Sequence, residues 1–199
     1  MVMIGVIRHG RTNWNEKGRL QGLTDIPLNE EGRKQAERLA TRFHEEKWDL
    51  IVSSPLSRAY DTANAVAKRL NIPLITDERL VERGFGKAEG TTEEKRVRLW
   101  GKDWRSLELG IEPQEVVMQR SLECVEEMSS EHQGKGVLFV SHGNTINQLV
   151  KGLLKDPSFD EKLNNTSVSL FRKEEDGWVC KLLNCTKHLE VVETNASTH

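Results

Sequence analysis

The feature that most restricts this chain is the alternation of short apolar runs with stretches of helical periodicity. Residues 2–7 read as a strand. A helix follows, with Asn29 as its cap, Glu30 and Glu31 in its first turn, and Ala36, Leu39, Ala40 and Phe43 as its inner stripe. Residues 50–52 form the next strand. Ser54 is then expected to cap a helix and Pro55 to open it, with Ala59, Thr62, Ala63, Val66, Ala67 and Leu70 facing inward. Residues 73–76 read as a third strand. A helix with Val117, Cys124, Val125 and Met128 inward leads into the strand 137–140. Ile146, Leu149, Val150, Leu153 and Leu154 mark the helix after it. Residues 168–171 and 178–182 pair as a hairpin closed at Asp176-Gly177. The alternation predicts an α/β fold, a largely parallel sheet between helices, with one antiparallel strand from the hairpin. The segment 91–113 is charged, carries Trp100 and Trp104, and is expected to form a flap or cap.

A chain of 199 residues suits one domain over 1–199, with the small polar tail 194–199 flexible. The longest apolar runs, such as 136–140, fall far short of the ~20 residues of a membrane-spanning helix. The opening stretch meets a charge at Arg8 and has no cationic leader, which predicts a cytoplasmic protein. Cys124, Cys180 and Cys185 form no CxxC pair, so reduced thiols are expected and a structural zinc site is not. Lys plus Arg number 29 against 31 Asp plus Glu, a net charge of -2. The basic excess of a nucleic-acid binder is missing. No membrane partner, cofactor or metal is expected, and monomer and homodimer are equally open.

Ligands in open parallel sheets bind beyond the carboxyl ends of the strands. The first strand ends in Arg8-His9-Gly10, the second in Ser53-Ser54-Pro55 with Arg58 one turn on, and the strand 137–140 in Ser141-His142-Gly143-Asn144. Glu82 follows the third. Taken singly, a strand-end histidine is an ordinary hydrogen-bonded group and Arg58 an ordinary solvated charge. Together they bring two histidines, two arginines and a carboxylate to one rim. Both histidines precede a glycine, which lets a ligand approach the backbone, and the helix after His142 offers free amides to an anion. Two His and a Glu could hold zinc, but Arg8 beside His9 makes a poor neighbour for a divalent cation. Guanidinium groups match phosphate oxygens instead. A neutral histidine can attack phosphorus while fixed charges stabilise the group in transfer, and a carboxyl can serve the leaving oxygen.

At these residues the chain resembles the histidine phosphatase superfamily, also called the phosphoglycerate mutase-like family. The likeness lies in RHGRTNWN (8–15), RLQGLTDIPLNEEG (19–32), SSPLSRAYDTA (53–63), ERGFGKAEG (82–90) and VSHGNTI (140–146), in family order, and extends to about residue 188. The resemblance implies a three-layer α/β/α sandwich around a mixed, mostly parallel six-stranded sheet. It implies His9 as the phosphorylated nucleophile, Arg8, Arg58 and His142 as the phosphate pocket, and Glu82 as proton donor and acceptor. It places Asn15, Gln21 and Gly22 in contact with phosphate or substrate, and Arg83, Gly143 and Asn144 at the substrate. Arg11 stands where the family usually has an acidic residue. It reads either as a solvent-facing charge or as an extra cation at the pocket mouth suited to a second anionic group.

The expected activity is metal-independent hydrolysis of a small phosphate monoester. The short stretch between Gly90 and Val137 has no room for the longer insertion of the family's mutases and no counterpart of its adjacent arginine pair. RLQG (19–22), NTSV (165–168) and LNCTKHL (183–189) also resemble the phosphatase branch. Arg83 after Glu82 and Asn144 within HGN resemble mutases, so a phosphoglycerate mutase or bisphosphoglycerate phosphatase is the alternative. A non-catalytic phospho-ligand module is a second, opposed by the intact set of reactive residues.

Overall fold

The computed structural model describes residues 2–43 and 47–190; the tail 194–199 lies outside them. Among the described residues the strands β1 (Met3–Arg8), β2 (Leu50–Ser53), β3 (Leu74–Thr76), β4 (Gly136–Ser141), β5 (Val168–Glu174) and β6 (Gly177–Cys185) form one sheet in the order β3-β2-β4-β1-β5-β6. β1 to β4 pair in parallel, while β5 runs antiparallel to both β1 and β6. The expected strands are all present, their ends within a few residues of expectation, and β3 is one residue shorter.

The helices are α1 (Asn13–Glu16), α2 (Glu30–Arg42), α3 (Ser57–Leu70), α4 (Glu93–Trp100), α5 (Gln114–Glu131) and α6 (Gly143–Leu154). Strand side chains alternate between faces, and the buried ones sort accordingly. Ile7, Ile51, Leu138 and Val140 meet Leu39, Ala40 and Phe43 of α2 and Ala59, Ala63 and Val66 of α3. Ile4, Val6, Val52, Val137 and Phe139 meet Cys124 and Val125 of α5 and Ile146, Leu149 and Val150 of α6. Three layers result. A fully buried Leu, Ile, Val or Phe contributes roughly 1.5–3 kcal/mol. A one-residue slip would send every strand side chain to the wrong face, so the register is firmly set.

Register places the strand ends. Arg8 of β1 lies opposite Ser141 of β4, and Ser53 of β2 opposite Val140. Beyond the ends, His9 N–H donates to Ser141 O at 3.0 Å and Ser54 N–H to Val140 O at 2.9 Å. The residues that follow β1, β2 and β4 are therefore neighbours in space.

Asn29 caps α2 as expected, its side chain accepting from Gly32 N–H at 2.8 Å. The start of α3 differs from expectation. The helix begins at Ser57, not at Pro55, because Ser54 Oγ is turned to His142 and to Leu56 N–H. Asp25, from the loop before α2, takes over the cap: its Oδ1 accepts from Ser57 N–H at 2.9 Å and Ser57 Oγ at 2.7 Å. The segment 91–113 holds α4 and a short 3-10 turn (Trp104–Ser106). Trp104 is buried there with Phe85, Ala88 and Leu109, and Trp100 packs at the edge. Glu93 ties this segment, accepting from Trp104 Nε1, Arg96 and Arg105; these bonds hold its carboxyl down to about 2.

The three cysteines are free thiols, Cys124 buried among apolar side chains. No helix among the described residues is long and apolar enough to cross a membrane.

Candidate active site

Register alone brings His9 and His142 together, with ring centroids 5.1 Å apart and the planes tilted by 56°. His9 is buried, and its Nδ1 lies 2.6 Å from the carbonyl of Gly10. A carbonyl only accepts, so Nδ1 carries the hydrogen and Nε2 keeps its lone pair. Burial, then the charges of Arg8 and Arg58, hold the His9 pKa well below the ordinary 6.5. The ring is neutral at physiological pH, the state a nucleophile requires.

Around it lies a cavity of about 320 Å³. Of the residues expected at the site, Arg8, His9, Asn15, Gln21, Glu82, Gly143 and Asn144 line it; Arg58, His142, Gly22 and Arg83 do not. Arg8 donates from Nη1 to the carbonyl of Leu163, while its Nε is buried with no hydrogen-bond partner. The guanidinium lies against the start of α6, where a Cβ on Gly143 would sit in ordinary contact at 3.4 Å from its Nε and Cζ. Asn15 closes a capping box with Thr12, its Oδ1 accepting from Thr12 N–H at 3.0 Å. Gln21 Oε1 accepts from Thr12 Oγ1 at 2.7 Å. Both carbonyl oxygens are thereby fixed, and both amide nitrogens are left as donors toward the cavity.

Arg58 and His142 stand behind His9. Arg58 is fully buried, at 0 % exposure. Its Nε donates to His142 Nδ1 at 3.2 Å, its Nη1 to Thr24 O at 2.9 Å and its Nη2 to Gly22 O at 2.8 Å. Because His142 Nδ1 accepts, Nε2 bears the hydrogen and donates to Ser54 Oγ at 2.8 Å. Burial and Arg58 hold His142 neutral, well below 6.5.

Glu82 follows a 3-10 turn (Glu78–Leu80) after β3. Its Oε1 accepts from Arg83 N–H at 2.8 Å, Thr145 N–H at 3.1 Å and Thr145 Oγ1 at 3.2 Å; its Oε2 accepts only from Asn144 N–H, at 3.3 Å. The Asn144 and Thr145 amides at the start of α6, which the sequence offered to a ligand, are thus spent on Glu82. They leave Oε2 with a single, longer hydrogen bond. Arg83 serves the site through its backbone; its guanidinium donates to Glu112 O at 2.7 Å and lies over Phe85, beside a neighbouring cavity.

Two supports, Glu89 and Arg120, escaped sequence reasoning. Glu89 receives Leu23 N–H, Thr24 N–H, Thr24 Oγ1 and Phe85 N–H, and so shapes the loop whose carbonyls hold Arg58. Gly22 has φ +52, and a Cβ there would lie 2.0 Å from Glu89 Oε1. Arg120 donates to Val81 O and Glu82 O from behind and pairs with Glu112. Glu89 lies inside the ERGFGKAEG stretch, the one signal that could have singled it out; Arg120 had none. Arg11, read either as a solvent-facing charge or as a cation at the pocket mouth, does not line this cavity. Among the described residues no group of three His, Cys, Asp or Glu could hold a metal ion.

The family description "histidine phosphatase superfamily (branch 1)" matches residues 4–186. The chain belongs to this superfamily. It is 32% identical over 191 residues to the uncharacterized phosphatase PhoE of Bacillus subtilis, covering 95% of this chain and 97% of that one. It is 32% identical over 212 residues to a probable phosphoglycerate mutase, GpmB, of Escherichia fergusonii, covering 96% of each. A solved phosphoserine phosphatase mutant from Entamoeba histolytica, in complex with phosphoserine, superposes with a TM-score of 0.82 at 30% identity, over 96% of this chain and 100% of that one. The superfamily's fold is the three-layer arrangement described above, and with relatives and structural neighbours of that activity the chain is a phosphatase.

Proposed function

We propose that the chain hydrolyses small phosphate monoesters through a phosphohistidine on His9, without a metal. The observation that carries this reading is the buried Nε of Arg8, a cationic donor with no acceptor, in a cavity shared with a neutral histidine whose Nε2 is free. Such a donor is costly to leave unmade, and a phosphoryl oxygen satisfies it.

His9 Nε2 attacks phosphorus, forming the N–P bond as the P–O bond to the leaving group breaks. Glu82 Oε2 gives its proton to the departing oxygen. A water then attacks the phosphohistidine, passing a proton back to Glu82 as the N–P bond breaks and phosphate leaves. Gly10 O holds the ring through both steps. Arg8 grips the group in flight. Arg58 acts by its field: three of its five N–H donors are fixed, and its charge already bears on His9. His142 orients Arg58. Asn15, Gln21, Asn144 and Gly143 shape the wall for phosphate and leaving group. A cavity of 320 Å³ with polar walls suits a small, hydrophilic alcohol; the phosphoserine held by the Entamoeba relative is of that class. Arg83 does not line the cavity, and its guanidinium is engaged by Glu112 O, so it lends the mutase alternative no support.

The test is turnover of phosphoserine and p-nitrophenyl phosphate with EDTA present, alongside interconversion of 2- and 3-phosphoglycerate. Phosphate release without interconversion is expected. Glu82→Gln should slow phosphoserine far more than p-nitrophenyl phosphate, whose leaving group hardly needs a proton. Equal slowing removes Glu82 as the acid; interconversion without release makes the chain a mutase.

A further inference from the structure

A second cavity, about 690 Å³, lies on the other side of Arg8. Arg8, Asn15, Lys162 and Leu163 line both cavities. Its charged lining is Arg8, the exposed Arg11 and Lys162, which form no ion pair among the described residues, and Glu16. Glu16 is turned aside, accepting from Asn29 Nδ2 at 3.0 Å. Gln35 of α2 supplies an independent sign. It is only 4 % exposed, and its Oε1 accepts from Arg11 N–H at 3.0 Å. That bond fixes the amide orientation, so Nε2 is a nearly buried donor with no protein acceptor, on the cavity wall. Asn164 adds a side-chain amide held close by, its backbone N–H donating to Asn184 Oδ1. The wall therefore presents two unpaired cations and the side-chain N–H of the nearly buried Gln35, which has no protein acceptor, to one space.

We propose that this second cavity is an oxyanion subsite, taking a phosphate or carboxylate group distinct from the one that reacts at His9. It deepens the phosphatase reading and rests on it for its kinetic arm. Arg11 is thus neither an idle surface charge nor part of the reactive pocket. It is the principal cation of an adjoining site, and Lys162 bridges the two. The anion is either a second group on the substrate or a separate small oxyanion.

Arg11→Gln tests this. The side chain is exposed, and the backbone N–H that holds Gln35 is unchanged. Calorimetric titration with inorganic phosphate should give two bound phosphates per wild-type chain and one for the variant. Equal stoichiometry in both proteins overturns the subsite. Kinetics then separate the two sources. If the second anion belongs to the substrate, KM for 2,3-bisphosphoglycerate should rise on the order of tenfold, as for one lost charge-assisted hydrogen bond, while p-nitrophenyl phosphate is unaffected. If stoichiometry falls and both KM values hold, the subsite takes a separate oxyanion. A parallel rise for both esters overturns the proposal, because Arg11 would then act at the reactive pocket. Failure of the wild-type chain to hydrolyse either ester sinks the phosphatase reading alone, since the titration reports the subsite without turnover.

Discussion

Glu89 shows how a residue that never lines the reactive cavity can decide the charge beside it. Its two oxygens collect four donors, and the loop they shape offers Gly22 O and Thr24 O to Arg58. Glu89→Gln puts an NH₂ where one of those oxygens received N–H groups. The loop must shift and Arg58 with it. We expect kcat for p-nitrophenyl phosphate to fall on the order of tenfold, a cost of about 1.4 kcal/mol in the barrier, with the circular-dichroism melt retaining a single transition. An unchanged kcat would show that Arg58 is held by His142 alone. At this scale the reactive groups were legible and their supports were not. His9, His142 and Glu82 announce themselves by side-chain chemistry at strand ends. Glu89 and Arg120 work on backbone atoms of distant segments, and a charged residue doing so looks in the sequence like any solvated one. Arg58 and His142, expected in the phosphate pocket, do not line the first cavity but bond to each other beside His9.

At the scale of elements, the closest backbone approach near the site is between α2 and the loop after β1. A Cβ on Gly32 would lie 2.0 Å from Arg11 O, and one on Gly10 would lie 2.6 Å from Gly32 O. Backbone cannot rotate away as a side chain does. Gly32→Ala should therefore destabilise by about 1–3 kcal/mol, the usual range for overpacking, lowering Tm by roughly 2–4 °C per kcal/mol for a chain of this size. Because the loop carries His9 and Gly10, kcat should fall as well. A melt and activity identical to the parent would mean that α2 slides freely against the loop. Most elements were legible because a two-face alternation or a 3.6-residue stripe survives in the sequence whatever lies around it. The start of α3 was not. Ser54-Pro55 has the local chemistry of a helix start, but Ser54 is drawn to His142 and the cap comes from Asp25 across a gap in sequence. The segment 91–113 escaped for a similar reason: its small core borrows Leu20 and Phe85 from elsewhere in the chain.

For the whole molecule, acid sensitivity follows from neutral buried histidines. His9 and His142 titrate well below 6.5, and burial, then Arg42, takes His188 down to about 4. Above pH 6.5 these rings are neutral in both folded and unfolded chains, and their contribution to stability is fully present. As pH falls below 6.5 the unfolded chain takes up protons that the native one refuses, so stability declines until the native values are reached. Tm should hold between pH 8 and 6.5 and fall between 6.5 and 5, before the carboxylates titrate; His188→Gln should reduce that fall. A level Tm down to pH 5 would mean that these rings protonate freely when folded. The layered α/β architecture itself was legible from strand and helix alternation and the mixed six-stranded sheet from the family likeness, whereas the strand order comes only from the structure. That order has a consequence for the making of the protein. β1 leaves the ribosome first, yet its neighbours on either side are β4 and β5, at residues 136–141 and 168–174. At about 5–20 residues per second the nascent strand waits on the order of ten seconds for either. By the time β4 has emerged, every reactive side chain from His9 to His142 has been made, but β1 still has one bare edge. A chain stalled before residue 168 carries the proposed reactive set from His9 to His142 while β1 still lacks its β5 neighbour.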